Sequence, residues 1–199
     1  MTMWVVMSAA MMLPAVLPVV ATVDRWVRRQ ARCRALTVAF VAGYLATWSG
    51  CGLVAYVALL LLQAWLPVGH DAVIRVGALL LVVAGAYQLS SLKRACLRRC
   101  RSPLAVIAEH LTELQRGRPG AFRVGAGHGL YCVGCCWSLM LVLVLLGMMS
   151  VAWMGLLAVV MLAEKVVPWG ATLTRAVGVA LVLVGGGLLV WPATLPALT

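Results

Sequence analysis

Six apolar runs follow one another along the chain, at residues 3–23, 35–66, 72–89, 121–147, 151–163 and 176–192. About 20 apolar residues carry a helix across the hydrocarbon core of a bilayer, and the first four runs and the last meet that demand. The fifth meets it only by extension through Met148 and Met149 or through Val166 and Val167. The pattern predicts an all-α fold, a polytopic integral membrane helical bundle of about six transmembrane helices, forming a single domain over residues 1–199. The first run lacks a charged leader and contains Pro14 and Pro18, so it is read as a spanning helix and not as a cleavable signal.

Between the third and fourth runs the pattern changes to an amphipathic one. Ser102 and Pro103 read as an N-cap and first helical position. Leu104, Ile107, Leu111 and Leu114 then recur at helical spacing, with Glu109, Glu113 and Arg116 off that face. A helix over about 102–116, lying on the inner membrane surface, is expected. Gly117 to Gly120 ends it.

Charge gives the runs a direction. The chain has 16 Lys+Arg against 5 acids, a formal charge of +11. Every basic residue except Arg75 falls in three connections, at residues 24–34, 90–123 and 164–175. Loops enriched in Lys and Arg stay on the cytoplasmic side, so both termini are expected on the outer side of the membrane. The same distribution excludes a nucleic-acid partner, which needs a basic face with exposed aromatics, because the aromatics lie inside the apolar runs. Composition agrees with a bilayer partner: 64% hydrophobic and 11% charged residues, against about 45–50% and 25% in soluble domains. Tryptophans Trp4, Trp26, Trp48, Trp65, Trp169 and Trp191 fall near run ends as interfacial anchors. Small residues such as Gly85, Gly125, Gly129, Gly178 and Gly185 let helices approach closely.

The seven cysteines follow no secreted disulfide framework, and those in basic loops face a reducing cytosol. The only dense polar constellation opens the fourth run, Gly127-His-Gly-Leu-Tyr-Cys-Val-Gly-Cys-Cys-Trp-Ser-Leu-Met140. On a helix, His128, Cys132, Cys135 and Cys136 fall at about 0°, 40°, −20° and 80°, along about 12 Å of axis, with Tyr131 beside them. One imidazole and three thiols on one face exceed what cysteine as a small buried hydrophobe explains. Soft sulfur with imidazole suits Cu(I). Zinc and iron fit less well, since the spacing is not the two-plus-two of structural zinc sites. One helix cannot close a tetrahedral site with these ligands, so other helices must contribute.

Met3, Met7 and Met11 stack on the first helix beside Met12, a thioether stripe that serves Cu(I) or simply fills the core. Met148, Met149 and Met154 are read as packing. Glu164, beside Lys165 at the inner end of the fifth run, is an acid at membrane depth, where acids are costly and usually functional. Gln88 and Glu164 are expected as oxygen-bearing neighbours of His128, whereas Cys135 and Cys136 are expected to meet Met7, Met11 or Met12. Cys96 and Cys100 stand at i, i+4 among arginines, which favour thiolate, and read as a cytosolic thiol pair. His70, Asp71 and His110 are read as structural.

These motifs resemble a bacterial family of predicted metal-binding integral membrane proteins, domain of unknown function 2182. The resemblance is carried by Ala10-Met-Met-Leu-Pro14, Gly43-Tyr44 with Trp48, Ala84-Gly-Ala-Tyr-Gln88, Leu92-Lys93, Cys96-Leu-Arg-Arg-Cys-Arg-Ser-Pro103, the 127–140 block, Trp153-Met154 and Glu164-Lys165. It departs at Ser91, where the family commonly has proline. It implies metal binding by His128 and the cysteine cluster, with Gln88, Lys93 and Glu164 belonging to the same site, the glutamine and lysine orienting ligands.

Four functions fit. The first is a copper-binding membrane protein that handles or delivers the metal, or supplies the metal site of a membrane complex. The others are a copper-dependent membrane oxidase or monooxygenase subunit, a transporter, and a structural subunit. A partner membrane subunit or a second copy of the chain is expected with the first two.

Overall fold

The computed structural model describes residues 2–27, 33–65, 70–146 and 150–190. The described residues form eight helices and no strand: α1 (Thr2–Val27), α2 (Cys33–Trp65), α3 (His70–Leu89), α4 (Ser91–Cys100), α5 (Pro103–Gln115), α6 (Arg118–Leu146), α7 (Val151–Val166) and α8 (Gly170–Val190). Met148, Met149 and Trp191 lie outside the described residues, as do the side chains of Met3, Trp26, Cys33, His70 and Asp71. Among the described residues, four helices are long and apolar enough to cross a membrane, within α1, α2, α6 and α8. The third run qualifies only together with α4, across a bend of 63°. The fifth run stops at Val166, and its 16 residues span about 24 Å, short of a hydrocarbon core of about 30 Å. The described residues therefore give four spans, or five with the bent pair, where about six were expected.

Local sequence explains the boundaries. Ser90 accepts the Lys93 backbone N–H at 3.1 Å and so caps α4 while its own N–H closes α3 on Tyr87 O. Ser91 then occupies the first helical position, whose N–H needs no helical partner. Serine is therefore as well suited to this position as the proline that the resemblance led one to expect. Ser150 caps α7 by accepting from Trp153 N. The expected cap of α5 is different. Ser102 makes no side-chain cap bond, and Pro103 alone starts the helix. That helix is interrupted at His110 (φ −118°, ψ 19°) and stops at Gly117, whose φ of +83° is the left-handed conformation glycine supplies after a helix.

The contacts resolve the chain into two units, Met1–Val57 with Ala95–Cys135, and Ala58–Arg94 with Cys136–Thr199. In the first, α1 buries Met7, Met11, Ala15, Val16, Val19 and Val23 along one stripe, and α5 packs against it. The apolar face expected of α5 is divided: Leu114 and Val106 are buried, whereas Leu104 is 73% exposed and Leu111 is also exposed. Trp48 is not an interfacial anchor. It is buried, and its carbonyl accepts the Trp4 indole N–H at 3.2 Å. In the second unit α3 lies on α8 through glycine: a Cβ on Gly85 would stand 2.7 Å from Gly178 O, and one on Gly185 would stand 2.8 Å from Ala78 O. Tyr87 meets Trp137 ring to ring, centroids 4.7 Å apart.

Candidate metal centre

The site of the first unit begins with how closely α2 and α6 approach. A Cβ on Gly43 would fall 2.1 Å from Phe122 O, and one on Gly125 would fall 1.9 Å from Phe40 O. Only hydrogens at both positions let the two backbones meet. Thr47 locks the contact by donating to Ala126 O at 3.1 Å. The stripe Phe40, Tyr44 and Trp48, one helical turn apart and fully buried, is thereby laid along α6.

This lays aromatic rings over the head of the polar strip. His128 is 5% exposed, with the Phe40 and Tyr44 rings each 6.2 Å from its centroid. One turn further on, the Tyr44 hydroxyl lies 3.0 Å from Cys132 Sγ. Cys132, Cys135 and Cys136 are all buried, and their three sulfurs lie within 4.8 Å of one another. They belong to one helix, so its pitch sets their spacing. Metal–thiolate bonds are about 2.3 Å long, which lets one ion reach sulfurs this far apart. Three soft donors and no carboxylate make up the group, the set that Cu(I) prefers.

One more thiol, outside the three-sulfur group, stands on α4. Cys135 donates to Cys132 O at 3.1 Å, and its sulfur stands 3.7 Å from Cys100 Sγ in a buried contact. Cys96 lies on the same side: a Cβ on Gly134 would be 2.8 Å from Cys96 Sγ. The sequence grouped Cys96 and Cys100 as a separate cytosolic pair, whereas the structure sets both against α6. The arginines around Cys96 do not make it a ready thiolate, because burial pushes its thiol up. The described cysteines form no disulfide.

The other expected members have surroundings of their own. Tyr131 points outward, 40% exposed, under the Arg99 guanidinium at 5.7 Å, and Arg99 is also paired with Glu109. Arg99, Glu109, His110, His128 and Tyr131 line a narrow cleft of about 10 Å3, room for about one water. Met7, Met11 and Met12 are buried on α1. In the second unit, Glu164 is paired with Lys93 at 2.7 Å, both side chains almost wholly buried. Gln88 is buried at the end of α3 with Gly178 of α8 against its Cβ, and neither of its amide atoms has a hydrogen-bond partner among the described residues. Sequence reasoning missed Phe40 and Tyr44 as neighbours of the strip. Their spacing of four residues on a glycine-bearing helix was the available signal.

No curated protein and no solved structure matches the chain. One family model does, PpoB2, a copper chaperone, and it covers residues 1–188. With a soft, buried, three-thiol donor set for copper on α6, the chain belongs to the PpoB2 copper-chaperone family.

Proposed function

We propose that this protein is an integral membrane copper chaperone of the bacterial inner membrane. It holds Cu(I) on Cys132, Cys135 and Cys136 of α6 and passes it to a membrane partner. The observation that carries this reading is the approach of the three buried sulfurs to within 4.8 Å of one another. His128, one turn before Cys132 on the same face, is the nitrogen donor nearest in sequence. The Tyr44 hydroxyl, 3.0 Å from Cys132 Sγ, is placed to donate to that sulfur once it is a metal-bound thiolate. Bound there, copper supplies a soft centre that moves between thiolates by ligand exchange, with no change of oxidation state. The resemblance to predicted metal-binding membrane proteins supports the same assignment.

The membrane setting rests on the helices. Leu53, Val54, Val57, Leu60 and Leu61 of α2, and Val179, Leu183 and Val184 of α8, are exposed. Apolar surface of this kind on each helix requires cover, and lipid provides it. With α3 and α7 also crossing, as the six-run pattern requires, both termini face outward and the arginine-rich connections lie inside.

Metal analysis of the detergent-purified, reduced protein tests the reading. The wild-type chain is expected to retain copper, and the variant with Cys132→Ser, Cys135→Ser and Cys136→Ser to lose it. Full copper retention by that variant overturns the assignment to α6.

A further inference from the structure

Resting on the copper reading of α6, we infer that α4 is the loading arm of that site. Cys100 receives Cu(I) from a soluble anionic thiolate complex and hands it to Cys135. Three observations carry the inference. Cys100 Sγ and Cys135 Sγ are 3.7 Å apart, close enough for one copper to be shared between them during exchange. Exposure falls along the route: Cys96 is half-buried, Cys100 is 8% exposed, and Cys135 is fully buried. The outer face of the same helix carries the exposed cations Arg94 and Arg98.

Each feature has a physical task. An ion in a buried thiol cluster cannot arrive hydrated, because the cluster has no room for its water and offers sulfur instead of oxygen. It must come bound to sulfur and change partners one thiolate at a time. An attacking thiol displaces a carrier thiolate most easily where exposure is greatest, and that order runs from half-buried Cys96 through Cys100, 8% exposed, to Cys132 and Cys135, at most 1% exposed. A carrier complex with net negative charge is drawn to a cationic helix, and the attraction raises the encounter rate. The balance closes without redox chemistry. A bond from Cu(I) to the carrier sulfur breaks, a bond from Cu(I) to the Cys100 sulfur forms, and the Cys100 proton leaves on the released carrier thiol. The second exchange repeats this between Cys100 and Cys135, with the Cys135 proton passing to Cys100.

The test is the rate of copper loading into full-length, detergent-purified, reduced protein. Cu(I)–glutathione is the source, and Cu(I)–thiolate ultraviolet absorption is followed by stopped flow. Cys100→Ser is expected to slow loading at least tenfold while the copper bound at equilibrium stays at the wild-type level. Arg98→Gln, a change at an exposed position, is expected to slow loading from the anionic complex severalfold and to leave loading from Cu(I) in acetonitrile unchanged. Wild-type rates in either variant overturn the loading arm. So does a fall in equilibrium copper for Cys100→Ser, which would make Cys100 a resident ligand instead. Copper retention by the triple cysteine variant of α6 would defeat the underlying site assignment independently of any rate.

Discussion

The hydroxyl of Tyr44 sits 3.0 Å from the sulfur of Cys132, joining α2 to α6 inside the buried thiol strip. A hydroxyl so placed stabilises thiolate over thiol by donating to the charged form. Tyr44→Phe keeps the ring that covers His128 and removes this bond. A lost hydrogen bond to a charged group costs about 1.5–3 kcal/mol. Copper affinity, measured by competition with a Cu(I) chelator, is expected to fall by about 10-fold to 150-fold on that scale, with the fold intact. Unchanged affinity would show that the hydroxyl is a packing contact.

Glycine on α6 is required at one position and optional two residues later. A Cβ on Gly125 would meet Phe40 O at 1.9 Å, a backbone atom that cannot step aside, whereas nothing lies within 4 Å of a Cβ on Gly127. Gly125→Ala is therefore expected to destabilise the protein by about 1–3 kcal/mol through overpacking, and Gly127→Ala to be neutral. Thermal unfolding in detergent compares them. Equal midpoints would contradict the close α2–α6 approach.

The Lys93–Glu164 pair calls for a different experiment. Removing one partner of a buried ion pair strands a charge and costs about 3–5 kcal/mol, whereas replacing both by apolar residues is often neutral. Glu164→Gln alone should lower stability sharply, and Lys93→Met combined with Glu164→Leu should recover most of the loss. A double variant as unstable as the single one would mean that the pair does more than neutralise itself. Copper content measured on the stable double variant then asks whether either residue serves the metal.

Orientation in the membrane can be read by labelling. With the basic connections inside, Asp71→Cys is expected to react with an impermeant thiol reagent in intact spheroplasts, and Cys96 to react only after permeabilisation. Reaction of Cys96 in sealed spheroplasts would invert the topology and place the loading arm on the outer side.

What the sequence determined by itself is local. Helical periodicity set His128, Cys132, Cys135 and Cys136 on one face of α6, because a 3.6-residue turn leaves no freedom once the helix forms. Apolar length and arginine placement gave the helical class, and the soft donors gave copper. Even there a local cue misled: Ser102 before Pro103 has the form of a cap but makes no capping bond. The partners across the bundle came only with the tertiary structure. Cys100 reaches Cys135 over 35 residues, and Tyr44 reaches Cys132 over 88. Which turn of one helix meets which turn of another depends on where the backbones can touch. Gly43 and Gly125 fix that register for α2 and α6, and the 63° bend at Ser90 turns α4 away from the line of α3. Spacing along a chain carries no information about such a register, since it is set by the shape of two surfaces brought together.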